Sequence, residues 1–159
     1  MKITIICVGK IKEKYFTDAI AEYSKRMSRY SSFEIKEVSD EKTPDNASEK
    51  ECLLIKEKEG ERLLKLWDEN AYNIALCIEG KMLDSVELSH KIEDIMLSGK
   101  SHICFIIGGS LGLSENIVKK SDYKLSFSKM TFPHQLMRVI LCEQIYRAFR
   151  ISNNEPYHK

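Results

Sequence analysis

Two apolar runs restrict what this chain can become. Ile3, Ile5, Ile6, Cys7 and Val8 lead into Gly9, and Ile103 to Ile107 stops at Gly108 and Gly109. A strand that is apolar at consecutive positions has no face to offer water, so it belongs inside a sheet covered on both sides. Shorter strand patterns accompany them. Phe33, Ile35 and Val38 alternate with polar residues; Ala71 to Ile78 is followed by Glu79-Gly80-Lys81, which reads as a tight turn at the sheet's edge; Tyr123, Leu125 and Phe127 alternate again. Strands that alternate with helical segments in this way predict an α/β fold: a mostly parallel, five- to six-stranded sheet flanked by helices on both faces.

The helical segments carry their own punctuation. Phe16, Ile20, Tyr23, Met27 and Tyr30 recur at spacings of four and three and make one apolar face. Ser48 with Glu51 is a capping box opening a helix to about Trp67, whose charged middle, broken by Gly60, should cover the sheet weakly or move. Asp84 with Glu87 caps the next helix, which Gly99 ends. The last helix, Pro133 to about Arg150, has apolar residues around nearly its whole circumference. It must be buried on more than one side, and the sheet covers one of them, so a second copy of the chain is expected on another: a homodimer.

A length of 159 residues with 43% hydrophobic content predicts one domain spanning residues 1–159. With 25 basic and 24 acidic side chains, net charge neither announces nor excludes a nucleic-acid partner. Five cysteines without a C-x-x-C pair predict reduced thiols and no metal. No secretory leader pattern is present, and no apolar run approaches the roughly 20 residues a membrane helix needs, so a cytoplasmic protein without a membrane partner is expected. The turn after the first strand, Val8-Gly9-Lys10-Ile11-Lys12-Glu13, lacks G-x-G-x-x-G, which counts against nicotinamide and flavin cofactors.

Ligands of open α/β sheets sit beyond the carboxyl ends of the strands. The candidate site is therefore bounded by Leu76, by Gly108, and by the loop Phe127, Ser128, Lys129, Met130, Thr131 and Phe132. Glycine lets a ligand approach backbone, Ser128 and Thr131 offer hydroxyls, and Leu76, Phe127, Met130 and Phe132 offer apolar walls. Adenine with a thioether suits that lining. No phosphate-binding lysine motif and no acidic pair at metal-ligand spacing is present, so a nucleoside triphosphate or a metal suits it less. Two rival classes remain: a flavodoxin-like binding module, which the placement of these loops after late strands and not after the first disfavours, and a ribosome-associated RNA-binding factor without catalysis, against which the same pocket counts.

Four segments carry a more specific likeness. F-I-I-G-G-S-x-G from Phe105, L-S-F-S-x-M-T-F-P-H-Q-L-x-R-V from Leu125, E-Q-I-Y-R-A from Glu143 and the final P-Y-H resemble, in order, the RlmH family of ribosomal RNA methyltransferases, members of the SPOUT class. The resemblance covers the whole chain. It implies a C-terminal trefoil knot, S-adenosylmethionine as cofactor at the residues above, and methylation of N3 of a pseudouridine in 23S ribosomal RNA of the assembled ribosome. It also ranks Tyr157 and His158 as catalytic residues, in a tail expected to serve substrate engagement and not folding. Arg138 is a candidate for RNA phosphates, together with Arg147 and Arg150, although Glu143 could simply pair with Arg147. His134, just after a helix-opening proline, is expected to serve the helix terminus or the core. One departure is visible: Asn153 and Asn154 stand where the family has a glycine shortly before the terminal Pro-Tyr-His. Asparagine tolerates the left-handed conformation better than most residues.

Overall fold

The computed structural model describes residues 1–159. In chain order it contains β1 (Lys2–Val8), α1 (Lys14–Met27), β2 (Ser32–Val38), α2 (Glu49–Leu64), β3 (Tyr72–Met82), α3 (Ser85–Leu97), β4 (His102–Ile107), α4 (Glu115–Lys120), β5 (Tyr123–Ser126) and α5 (His134–Ser152). The strands form one five-stranded sheet in the order β2-β1-β4-β3-β5, and each pairing is parallel. The two apolar runs lie side by side near its middle, in register from Lys2 opposite His102 to Cys7 opposite Ile107.

Alternation along these strands divides the core in two. Ile3, Ile5, Cys7, Ile103, Phe105 and Ile107 face the layer of α1, α3 and α5, where they meet Met27, Ile92 and Leu141. Ile6, Val8, Cys104 and Ile106 face α2 and α4, where they meet Leu63 and Ile117. Each fully buried aliphatic of this kind stabilises the fold by roughly 1.5–3 kcal/mol, so neither layer is dispensable. Both predicted capping boxes close: Ser48 Oγ accepts from Glu51 N–H, and Asp84 accepts from Glu87 N–H. The expectation that α2 covers the sheet weakly is corrected. Ile55, Glu59, Gly60 and Leu63 are buried, and the helix stops at Leu64, short of Trp67.

A second correction concerns the stretch after Ile78. Glu79-Gly80-Lys81 is not a turn but part of β3, which runs on to Met82. The ladder with β5 breaks between Leu76 and Lys81, both of which pair with Leu125. Gly80 permits this irregular crossing, since a Cβ there would lie 2.7 Å from the Leu125 carbonyl carbon. An irregularity of this kind re-aims the strand end. Beyond Leu76, the chain is thereby released from its neighbour on the side where a ligand would sit.

The helix α5 packs against the sheet with α1 and α3 on its flanks. The chain therefore covers more of it than a sheet alone could, and what remains half-exposed is a stripe of Leu136, Val139 and Ile140. None of the helices is long and apolar enough to cross a membrane.

Arg138 does not meet RNA phosphates here, which corrects its assignment. Its side chain is 0% exposed, with Nη2 donating to the carbonyls of Val8 (2.8 Å) and Gly9 (2.7 Å) and Nη1 donating to Glu37 Oε1 at 2.7 Å. A rigid guanidinium fork serves three acceptors at the ends of β1 and β2. Replacing Arg138 by Met keeps much of the volume but strands a carboxylate and two carbonyls. Urea unfolding of Arg138→Met should show a loss of about 3–5 kcal/mol at unchanged slope. A loss below about 1 kcal/mol, the scale of an exposed ion pair, would show that the clamp is ornamental.

Candidate active site

Beside the break in the β3 ladder and at the carboxyl ends of β4 and β5, an open cavity is bounded on its far side by the start of α5. Leu76, Gly108, Phe127, Ser128, Met130, Thr131 and Phe132 all line it, so seven of the eight expected cofactor residues converge. Lys129 does not contribute to the lining.

Local chemistry explains how the walls are held. A Cβ on Gly108 would lie 2.5 Å from the carbonyl carbon of Gly112, so the bare residue is what lets the glycine turn fold back on itself. A larger residue there would undo the turn as well as obstruct a ligand. In the loop after β5, Ser128 Oγ accepts from Met130 N–H at 3.0 Å, and Ser126 Oγ donates to the Ser128 carbonyl at 3.0 Å. These short-range bonds fix the loop without a long-range partner. Ser128 Oγ thus serves the loop's own backbone, and its hydroxyl proton remains for a ligand.

Sequence reasoning missed part of the lining. Cys77 and Ile78 enter because β3 breaks its ladder after Leu76, and Ile107, His134 and Met137 enter from β4 and α5. The signal for Ile78 was its place in a strand beyond the point where a partner is available; nothing in the spacing marked Met137. His134 is half-buried at the first position of α5. Burial holds its imidazole below the usual histidine range, Arg138 adds to that effect, and Asp40 opposes it.

The tail is ordered, contrary to its expected independence from the fold. Asn154 takes the left-handed conformation at φ +54° and reverses the chain after α5, the role open to an asparagine in place of glycine. Tyr157 then packs against the core beside Tyr146 at a ring separation of 5.0 Å, and its hydroxyl donates to Glu143 Oε1 at 3.0 Å. Arg147 lies 4.7 Å from the Tyr157 ring centre and 3.3 Å from His158 Nδ1. Arg150 donates to the Pro156 carbonyl and pairs with Glu155. The three arginines proposed for phosphates are thus all engaged within the chain, Arg147 by Glu143 as its spacing allowed. Burial, then the bond to Glu143, pushes the Tyr157 hydroxyl up to about 12, so it stays protonated and acts as a donor.

Tail and cavity do not meet within one chain. Glu143, where Tyr157 is anchored, lies nine residues beyond His134 along α5. At 1.5 Å per residue that is on the order of 13 Å of helix between the tail's anchor and the cavity wall.

This geometry can be set beside known proteins. A family model described as "Predicted SPOUT methyltransferase" matches residues 1–158. The chain is 64% identical to a protein of Clostridium novyi (strain NT), and 62% identical to one of Clostridium kluyveri, both named ribosomal RNA large subunit methyltransferase H; each match covers 100% of both chains. Among solved structures, the tRNA (m1G37) methyltransferase of Aquifex aeolicus shares the fold, with a TM-score of 0.51 at 14% identity over 92% of this chain and 70% of that one. A parallel sheet with its cavity at the late strand ends, matched over its full length to these relatives, places the chain in the SPOUT methyltransferases, with their knotted α/β fold, and among them in the RlmH family.

Proposed function

We propose that this chain methylates large-subunit ribosomal RNA with S-adenosylmethionine, at N3 of a pseudouridine in 23S ribosomal RNA of the assembled ribosome. The observation that carries this reading is the cavity itself. Apolar walls from Leu76, Phe127, Met130 and Phe132 suit an adenine ring and a methylene chain, and the break in the β3 ladder and the ends of β4 and β5 supply backbone donors and acceptors for its polar edges. No cluster of acidic, histidine or cysteine side chains that could hold a metal ion is present, and an apolar lining would suit a triphosphate poorly. The bound cofactor supplies an electrophilic sulfonium methyl group. The protein's work is then to hold the uracil nitrogen in line with that methyl, keep water out, and take up one proton. Acting on assembled ribosomes, the protein would work in the cytoplasm.

A homodimer completes this reading. Leu136, Val139 and Ile140 form a half-exposed apolar stripe on α5. A second copy packed there would cover the stripe and bring its own tail toward this chain's cavity, which the first chain's tail does not reach. Tyr157 would offer a hydroxyl donor and a flat ring, and His158 an imidazole, to an unstacked base.

Purified protein incubated with labelled S-adenosylmethionine and ribosomes lacking the modification should transfer label to the large-subunit RNA. Binding of the cofactor without transfer would leave a small-molecule binding module, and association with ribosomes without cofactor binding would leave an RNA-binding factor. Phe132→Asp puts a charge on the cavity wall at a partly exposed site. Calorimetry should show cofactor affinity reduced by roughly tenfold or more, which is about 1.4 kcal/mol, with the melting temperature essentially unchanged. Sedimentation should find the wild type dimeric at micromolar concentration and Val139→Glu monomeric or unfolded; a monomeric wild type would remove the second copy from the account.

A further inference from the structure

The four histidines of this chain differ in what occupies their ring nitrogens. His102 is fully employed, with Thr4 Oγ1 at 2.9 Å on Nε2 and Asp68 Oδ2 at 2.9 Å on Nδ1. His158 has Arg147 on Nδ1. His90 is exposed on α3. His134 alone lines the cavity, and no protein hydrogen bond engages either of its nitrogens. Its Nε2 lies against Gly9, within 3.3 Å of where a side chain at that position would start.

We propose that His134 is the proton acceptor of the methyl transfer, its free ring nitrogen taking the N3 proton of the target uracil as that nitrogen attacks the methyl carbon. The inference rests on the methyltransferase reading above and adds a residue to it. The step balances. The N3–H bond breaks and the proton goes to imidazole; the N3 pair forms the new N–C bond; the S–C bond breaks and leaves its pair on sulfur as a neutral thioether; the imidazolium later releases its proton to solvent.

What surrounds the ring suits this task. Burial disfavours the charged ring most, and the Arg138 guanidinium on the same helix, turned toward Glu37 and the Val8 and Gly9 carbonyls, further discourages a second positive charge. The ring also stands at the N-terminal end of α5, where the helix dipole does the same. Asp40, beside Gly9, works in the other direction but does not prevail. Beyond these, the adjoining loop offers Met130, Thr131 and Phe132, which carry no charge, and Gln135 is occupied by Lys12 N–H at 3.1 Å. A neutral imidazole is thereby ready to accept a proton at neutral pH, and protonation silences it. The sign follows. Activity should be present above the His134 pKa, which lies below the usual 6.5, and lost as pH falls through it.

The test pairs kinetics with spectroscopy on the full-length protein loaded with cofactor or with its demethylated product. At saturating cofactor, transfer to ribosomes by His134→Gln is expected to fall about 100-fold or more, and the acid limb of the wild-type pH profile should vanish from the residual rate. Nitrogen NMR of wild-type imidazoles should find His134 titrating at the pH of that limb. Transfer within about threefold of wild type in a folded His134→Gln protein, or a limb that persists, overturns the inference. If His134→Gln fails to fold, the wild-type titration decides alone, and a His134 that titrates away from the limb overturns it. A wild type that transfers no methyl group fails differently, since that outcome removes the methyltransferase reading itself.

Discussion

One guanidinium sealed from water sets the position of α5, and with it half of the cavity. Arg138 reaches from the first turns of the helix to the carbonyls of Val8 and Gly9 and to Glu37, so the ends of β1 and β2 and the start of α5 are held as one piece. A charge at 0% exposure is costly unless its partners are well placed. The fold therefore tolerates few other placements of the helix. His134 and Met137, one turn or less away, inherit their positions on the cavity wall from that clamp. The loop after β5 is fixed at one end by β5 and at the other by the same helix.

The opposite wall depends on a broken ladder. β3 pairs with β5 up to Leu76 and again from Lys81, and Gly80 makes room for the β5 backbone at the crossing. Cys77 and Ile78 are released to the cavity. The site thus lies where regular pairing stops on one side and where a buried arginine, paired with a partly exposed carboxylate, stops the helix from drifting on the other.

Much of this could be read from residue patterns because burial on two faces writes itself into β1 and β4 as consecutive apolar residues, and because Ser48-Glu51 and Asp84-Glu87 are local devices that close without tertiary help. Glycine followed by a hydroxyl-bearing loop marked the cavity for the same reason. What could not be read depends on distant partners. An arginine on an apolar helix looks like a phosphate ligand until Glu37, 101 residues away, is seen to neutralise it. The extension of β3 through Glu79-Gly80-Lys81 mimics a turn in sequence, since only the β5 backbone beneath Gly80 explains the glycine. Tyr157 resembles loose tail sequence, yet Tyr146 and Glu143 hold it against the core.

The central claim is a division of labour: one chain's cavity binds the cofactor while a second chain's tail engages the base. It is tested most directly by mixed dimers made by co-expressing a cavity variant, Phe132→Asp, with a tail variant, His158→Ala, and assayed at cofactor concentrations that leave the Phe132→Asp cavity largely empty. Each variant alone should transfer little methyl to ribosomes, whereas mixed dimers, which pair one intact cavity with the partner's intact tail, should recover transfer. If mixed dimers are as inactive as either parent, or if His158→Ala alone transfers at the wild-type rate, the two sites do not share the reaction in this way.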